Sequence, residues 1–139
     1  MNTRKRVLFV CTGNRARSQM AEGLLRHLAG DRFRVYSAGT LPAGMSQYTI
    51  EVMREIGIDV STQRSKSVDE FAGQEFDFVI TVCDFARQVC PVFPGDGERL
   101  HWDVEDPSDI EARRIPLADA FRIAREDLRK RTELFVHEH

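Results

Sequence analysis

Short apolar segments alternate along the chain with segments whose apolar residues recur every three or four positions. Residues 6–10 and 76–82 are nearly continuous apolar runs rich in valine and phenylalanine, which is typical of strands covered on both faces. Residues 33–37 and 99–102 are weaker strand candidates that follow turn-forming residues. We therefore predict four strands, with the first two segments at the centre of a sheet and the other two at its edges.

The segments between the strands have helical spacing. A first apolar stripe is followed by Gly30 as a helix terminator and comprises Met20, Ala21, Leu24, Leu25 and Leu28. A second helix is predicted over residues 47–56, with Ser46 as its cap and Gly57 after it. Ser67 and Glu70 have the spacing of a capping box, which predicts a short helix over residues 68–72.

A last apolar stripe, with charged residues on the opposite face, predicts a long helix near the end of the chain. The stripe consists of Leu117, Phe121, Ala124, Leu128 and Phe135. Strands that alternate with helices favour a parallel sheet with right-handed crossovers. We therefore expect a three-layer α/β/α sandwich formed by one domain over residues 1–139, a length that supports one hydrophobic core.

Composition excludes some functional classes. The chain has 20 basic and 22 acidic residues, without the positive excess expected of a nucleic-acid-binding protein. No apolar run approaches the roughly 20 residues that cross a bilayer, and the start of the chain does not resemble a signal peptide, so we expect a cytoplasmic protein. The three cysteines are too few and too widely spaced for a secreted disulfide scaffold. They are therefore reactive or simply buried.

The segment from residue 11 to residue 18 combines features of an anion site. Cys11 directly follows the first strand, and Arg17 and Ser18 begin the first predicted helix. A helix N-terminus and a guanidinium group both favour a thiolate and an oxyanion, while Gly13 and Asn14 suit a tight or left-handed turn. The alternative is a buried, inert Cys11 with solvated arginines. The coincidence of all these features favours the anion site.

Cys83 follows the predicted strand 76–82 as directly as Cys11 follows strand 6–10. The carboxyl ends of parallel strands meet at one edge of a sheet, where ligands bind in such folds. If the two strands are neighbours, about 4.8 Å apart, both thiols emerge at this edge and a disulfide between them is within reach.

Four stretches together resemble a known family: "VLFVCTGNRARSQMAEG", "VYSAGT", "VITVCDFARQVCPVFPG" and "LHWDVEDPSD". In this order and spacing they are similar to the arsenate reductases of the low-molecular-weight protein tyrosine phosphatase superfamily. The resemblance implies a four-stranded parallel sheet in the order 2-1-3-4. It also implies that Asp106, in the "DP" dipeptide, is a general acid, and only the register of the motif selects it over its acidic neighbours Asp103, Glu105 and Asp109.

The resemblance further implies a reaction. Cys11 would attack arsenate, Cys83 would attack the Cys11 sulfur and release arsenite, and the disulfide would pass to Cys83–Cys90 for an external reductant such as thioredoxin. No bound cofactor is expected. Alternatively, Cys83 is a core residue and Cys90 a loop residue. A zinc site with His101 is disfavoured, because the seven-residue step from Cys83 to Cys90 differs from the usual spacing of zinc ligands.

The rest of the predicted oxyanion-binding loop consists of Thr12, Gly13, Asn14, Arg15, Ala16 and Ser18. Arg15 replaces a residue that is often small or hydroxylic in relatives, and Ala16 replaces a cysteine of some of them. Arg15 is either solvated or a source of positive potential that speeds oxyanion capture. Lys66 lies near the place where some relatives bind a monovalent cation; its ammonium group could replace that ion, although we favour a solvated surface lysine.

Three functions remain open from the sequence. Arsenate reduction is the leading one, a phosphatase acting on phosphotyrosine or small phosphomonoesters is the second, and an oxyanion-binding or redox-sensing module without turnover is the third. Phosphate or sulfate could also occupy the loop. We expect a monomer and a mobile segment over residues 84–95, and the reductant could be thioredoxin, glutaredoxin or a low-molecular-weight thiol.

Overall fold

The computed structural model describes residues 4–109 and 114–139. Its centre is a parallel sheet of four strands in the order β2-β1-β3-β4, as predicted. The strands are β1 (Lys5–Cys11), β2 (Phe33–Gly39), β3 (Phe78–Thr81) and β4 (Glu98–His101). The two apolar runs, β1 and β3, occupy the centre of the sheet, and the two weaker candidates lie at its edges.

In the described residues, four α-helices and one 3₁₀ segment surround the sheet. They are α1 (Arg17–Ala29), α2 (Gln47–Glu55), the 3₁₀ segment Val68–Phe71, α3 (Asp84–Val89) and α4 (Leu117–Glu138). Helix α4 packs against α1 and α2, while α3 contacts β1 and β3. No helix in the described part of the chain combines the length and apolarity needed to cross a membrane.

Aromatic side chains cover both faces of the sheet. Phe33 in β2 packs against Phe135 of α4, with ring centroids 5.4 Å apart. Tyr36 lies three residues further along the same strand and therefore points to the opposite face. There it belongs to a cluster of edge-to-face ring contacts with Phe71, Phe76 and Phe93. The predicted three-layer arrangement is confirmed.

The structure corrects several details of the predicted elements. Residues 84–95 are not a continuous loop, because their first half forms α3. This helix of six residues is too short to show an apolar stripe, and its cap is the sulfur of Cys83 rather than a typical capping side chain. Strand β3 starts two residues later than predicted, at Phe78, and Leu28 of the first stripe is 42% exposed.

The predicted caps also differ from the observed ones. The Ser67 side chain accepts a hydrogen bond from the backbone of Asp69, and Glu70 pairs with Arg64, so no capping box forms and the segment is 3₁₀ rather than α-helical. Ser46 precedes α2 as predicted but makes no side-chain cap bond. Ser46 and Ser67 therefore mark the starts of these two elements correctly, although their capping hydrogen bonds differ from the predicted ones.

Gly23 of α1 allows a close approach that fixes the position of this helix. A methyl group at Gly23 would lie 2.6 Å from Cγ1 of Val60, a fully buried and stiff β-branched side chain. We expect Gly23→Ala to lower the free energy of unfolding by about 1–2 kcal/mol through overpacking, as measured by urea denaturation.

The matched control is the same substitution in a Val60→Ala background, where the obstructing methyl is gone. There Gly23→Ala should stabilise the protein by up to about 1 kcal/mol through helix propensity. Equal effects in both backgrounds would show that this contact does not limit the packing of α1.

Candidate active site

The loop between β1 and α1 turns its carbonyl oxygens away from Cys11. The carbonyl oxygens of Thr12 and Gly13 accept hydrogen bonds from the backbone amides of Leu41 (2.8 Å) and Ala43 (2.9 Å). The amide of Asn14 donates to Cys11 Sγ over 3.2 Å. Since the loop's carbonyl groups are satisfied outside, its N–H groups are available to the sulfur and to a bound anion.

Asn14 is the residue that holds this loop in shape. It has a φ of 49°, which confirms the predicted left-handed turn, and it is fully buried. Its Oδ1 accepts from the Lys66 backbone amide (2.9 Å) and from Gln19 Nε2 (3.0 Å). Because both partners are donors, Nδ2 must face the other way, where it donates to Ser18 Oγ (2.8 Å) and Ser37 Oγ (3.0 Å).

These bonds give the hydroxyl of Ser18 a direction. Because Ser18 Oγ accepts from Asn14, its own proton is free for Cys11 Sγ, which lies 2.7 Å away. The hydroxyl of Ser37 is directed in the same way to Oε1 of the buried Glu22, over 2.5 Å. The predicted bond between Ser18 and Cys11 is thus present, with its donor oriented by Asn14.

Burial raises the pKa of the Cys11 thiol above its ordinary value. The Ser18 hydrogen bond, the charge of Arg17 and the Asn14 amide act in the opposite direction but do not prevail. The loop amides and Arg17 thus favour the thiolate, as expected from the sequence, while burial acts against it.

Arg17 lies between the loop and the segment that follows β4. Its Nη1 donates to the Val104 carbonyl oxygen (3.0 Å), and its Nη2 is 3.8 Å from Asp106 Oδ2. The Asp106 carboxyl group is half exposed and accepts from the Ser108 amide over 2.9 Å. Guanidinium and carboxyl groups therefore meet at the mouth of the pocket.

A cavity of about 210 Å³ lies over Cys11. Its described lining residues are Cys11, Thr12, Gly13, Arg15, Ala16, Arg17, Asp106 and Ser108. Of the four acidic residues in the "DVEDPSD" stretch, Asp106 is the one in this lining, which agrees with the register of the motif. Sequence reasoning missed Ser108, whose position two residues after Asp106 could have suggested it.

Cys83 lies beyond the carboxyl end of β3, at the same end of the sheet where Cys11 ends β1. Val10 pairs with Thr81 across the two central strands, so the chains leave the sheet side by side. The hydroxyl of Thr12, next to Cys11, is 3.3 Å from Cys83 Sγ. Both cysteines therefore leave the sheet at the same end, and the side chain next to Cys11 contacts Cys83.

Helix α3 separates Cys83 from Cys90. The amide of Ala86 donates to Cys83 Sγ over 3.4 Å at the start of the helix, and Cys90 is its C-cap. Seven residues of helical rise place the two cysteines about 10 Å apart, beyond the reach of a disulfide. All three cysteines are free. A bond between Cys83 and Cys90 therefore requires α3 to unwind.

Lys66 is not the solvated residue that we favoured from the sequence. Its side chain is 11% exposed, its Nζ donates to the Arg64 carbonyl oxygen over 3.2 Å, and it is 3.7 Å from Glu22 Oε1. Burial lowers the pKa of its ammonium group, against the opposing charge of Glu22. Lys66 thus supplies positive charge to the polar cluster that includes Glu22 and Asn14.

His101 lies near Asp84 and Asp103, with its Nε2 3.2 Å from Asp84 Oδ1. Within residues 4–109 and 114–139, these three side chains are the group with ligand atoms close enough to share a metal ion, and it contains no cysteine. The described residues therefore give no support to a zinc site built on the thiols.

We expect Ser18→Ala to raise the pKa of Cys11 further, because a hydrogen bond to the thiolate is lost. The rate of iodoacetamide alkylation of Cys11, resolved by peptide mass spectrometry between pH 6 and 10, should shift to higher pH. The matched control is Ser61→Ala on a surface loop remote from Cys11, which should leave the profile in place. If the pH dependence of Cys11 alkylation were the same in Ser18→Ala as in the unsubstituted protein, Ser18 would not assist the ionisation of Cys11.

Comparisons with known proteins agree with this geometry. Residues 6–138 match the model of the low molecular weight phosphotyrosine protein phosphatase family. An arsenate reductase of Halalkalibacterium halodurans is 41% identical over 133 residues, which is 96% of each chain.

Two solved structures have the same fold. An arsenate reductase in the phosphate-binding state superposes with a TM-score of 0.82 at 30% identity, over 96% of this chain and 98% of that one. A thioredoxin-dependent arsenate reductase of Corynebacterium glutamicum gives a TM-score of 0.72 at 29% identity, over 98% of this chain and 64% of that one. This chain belongs to the low molecular weight phosphotyrosine protein phosphatase family, among relatives named arsenate reductases.

Proposed function

We propose that this protein reduces arsenate to arsenite through a sequence of disulfides, and that Cys11, Arg17, Cys83, Cys90 and Asp106 carry the reaction. The observation that supports it most is the contact of Cys83 with Thr12, which puts a second thiol beside the pocket of the first. Simple hydrolysis of a phosphate ester has no use for that thiol. The relatives named arsenate reductases support the same function.

The first step forms a bond between Cys11 Sγ and arsenic. Arsenate binds against the loop amides, and the Cys11 proton passes to one of its oxygens, which overcomes the raised pKa of the buried thiol. Arg17 exchanges its weak carbonyl contacts for the oxyanion, since charge-assisted bonds are stronger. Asp106 at the mouth of the pocket donates a proton to the departing oxygen, which leaves as water.

In the second step Cys83 attacks Cys11 Sγ. A sulfur–sulfur bond forms, the sulfur–arsenic bond breaks, and its electron pair remains on arsenic, which leaves as arsenite. The Ala86 amide and the Thr12 hydroxyl both lie within hydrogen-bond distance of Cys83 Sγ and can stabilise the attacking thiolate. Two electrons have then moved from two thiols to arsenic.

In the third step Cys90 attacks Cys83 and releases Cys11 as a thiol. This step requires the segment 84–95 to change shape, because α3 holds the two sulfurs apart. The new Cys83–Cys90 disulfide is then reduced by an external thiol, for which thioredoxin is the candidate that a structural relative's name supports. A reducing compartment such as the cytoplasm would keep the three cysteines in the free state that the cycle starts from.

The phosphatase alternative uses the same Cys11, Arg17 and Asp106 but is less favoured. Phosphate can form the same adduct with Cys11, but phosphorus does not accept two electrons, so its adduct only hydrolyses. The described lining of the Cys11 pocket contains no aromatic ring that would pack against a phosphotyrosine side chain. The protein would therefore distinguish arsenate from phosphate after binding, when Cys83 attacks the Cys11 sulfur.

Cys83→Ser should separate the two activities. We expect it to abolish arsenate-dependent NADPH oxidation in the presence of thioredoxin and thioredoxin reductase, because no resolving thiol is left. Slow hydrolysis of an aryl phosphate should remain, since Cys11, Arg17 and Asp106 are intact. The control is Ser61→Ala, which should keep both activities. Retained arsenate turnover in Cys83→Ser would refute the proposed sequence of disulfides.

Arg15 provides a second test, because its exposed side chain lines the pocket and donates to the Gly44 carbonyl oxygen over 3.2 Å. Arg15→Ala should raise the KM for arsenate about three- to fivefold at low salt, with kcat nearly unchanged, because long-range attraction of the oxyanion is weakened. The difference should shrink at high salt. Arg34→Ala removes the same charge from an exposed site on β2 and should leave KM in place. An unchanged KM for Arg15→Ala at low salt would leave Arg15 without a role in capture.

A further inference from the structure

Three side chains with metal-binding atoms meet at the carboxyl end of β4, outside the Cys11 pocket. Asp84 is the first residue of α3, His101 is the last residue of β4, and Asp103 follows two positions later. One imidazole nitrogen and one carboxylate oxygen from each aspartate all lie within 4.8 Å of one another. Two ligand atoms of one zinc-sized ion lie up to about 4.4 Å apart, so a small movement of the exposed carboxylates brings all three groups into contact with such an ion.

The imidazole of His101 is oriented by Thr81 in the neighbouring strand. The two residues pair across β3 and β4, and Thr81 Oγ1 lies 2.8 Å from His101 Nδ1. The Thr81 hydroxyl has the Leu100 carbonyl oxygen, at 3.4 Å, as an acceptor for its own proton. Thr81 Oγ1 can therefore accept from Nδ1–H, which leaves the free electron pair of the neutral ring on Nε2. Histidines that bind metals are held in the same way, by a hydrogen bond at the other ring nitrogen.

The Nε2 atom of His101 faces the carboxylates but has no hydrogen bond there. It is shielded from solvent and makes no hydrogen bond to a residue within 4–109 and 114–139, although Asp84 Oδ1 is 3.2 Å away. A buried polar atom without a partner costs free energy, and such atoms in native proteins often mark the place of an ion. A cation between Nε2 and the two aspartates would satisfy the ring, and the two carboxylates would balance a charge of +2.

The basic residues around this cluster leave the carboxylates available. Arg87 and Arg99 line the cleft beside the imidazole, and Arg99 donates to the Pro91 carbonyl oxygen over 3.3 Å. Arg131 donates to the backbone carbonyl oxygen of Asp103, over 3.1 Å. These positive charges weaken the binding of a cation through repulsion, so we expect a moderate affinity.

We propose that His101, Asp84 and Asp103 bind one divalent transition-metal cation, with water in the remaining coordination positions. One imidazole and two carboxylates suit first-row ions from Mn²⁺ to Zn²⁺. The three residues include no thiol and are absent from the described lining of the Cys11 pocket. The site is therefore independent of the proposed arsenate chemistry and would remain if that proposal failed.

A cation at this site would join α3 to the sheet. Asp84 directly follows Cys83 and opens a helix of only six residues, whose cap is the Cys83 sulfur. A bond from this first residue to an ion held by β4 restrains the start of the helix. The backbone amides of α3 should therefore exchange hydrogen more slowly when the cation is bound.

The test uses Mn²⁺, because this ion prefers oxygen and nitrogen to thiol ligands and so avoids the three cysteines. Reduced full-length protein is titrated with MnCl₂, and free Mn²⁺ is measured by its EPR signal, while pulsed EPR detects coupling to an imidazole nitrogen. We expect one ion per chain, with nitrogen coupling. His101→Gln should remove the coupling, and it should weaken binding about tenfold or more, as should Asp84→Asn and Asp103→Asn. Thr81→Val should weaken binding about tenfold by freeing the imidazole.

Asp31→Asn removes the same charge from an exposed position before β2, at the opposite end of the sheet, and should leave Mn²⁺ binding within a factor of two. Binding without nitrogen coupling, an equal loss in Asp31→Asn, or unchanged hydrogen exchange in α3 at saturation would overturn the proposal. So would the absence of binding up to about 1 mM Mn²⁺. In that case a His101 ring protonated on both nitrogens, observed by ¹⁵N NMR at neutral pH, would show that the ring simply pairs with Asp84.

Discussion

The buried amide of Asn14 is the interaction on which the rest of the site depends. One side chain joins the oxyanion loop to α1 through Ser18, to β2 through Ser37 and to the segment after α2 through the Lys66 amide. All four of its amide contacts use a definite donor or acceptor, so the loop has one favourable arrangement. A residue in the left-handed region at this point also turns the chain so that its N–H groups face Cys11.

The site balances two opposing requirements of sulfur chemistry. Burial raises the pKa of the Cys11 thiol and so disfavours the thiolate, which is the reactive form. The Ser18 hydroxyl, the Arg17 charge and the loop amides reduce this penalty without removing it. The state of Cys11 is thus set by burial on one side and by these hydrogen bonds and charges on the other.

Much of this could be predicted from the sequence because strong signals coincide. The apolar runs of β1 and β3 and the order of Cys11, Arg17 and Ser18 place the strands, the loop and the first helix without coordinates. Helix α3 could not be predicted, because six residues show no periodicity and a cysteine sulfur is an unusual cap. The burial of Lys66 was also missed, since the carboxylate that accepts its charge, Glu22, lies 44 positions earlier in the chain.

The dual use of the Cys83 sulfur has a consequence for the timing of catalysis. While that atom is a free thiol it terminates α3, accepting the Ala86 amide, and so keeps the third cysteine at a distance. In the proposed reaction, a bond from Cys83 to Cys11 would turn this sulfur toward the pocket and away from the Ala86 amide, so that α3 would lose its cap. In that reaction, formation of the first disulfide would remove the hydrogen bond that holds α3 together at Cys83. Cys90 could then approach Cys83, so this one hydrogen bond would set the order in which the three thiols react.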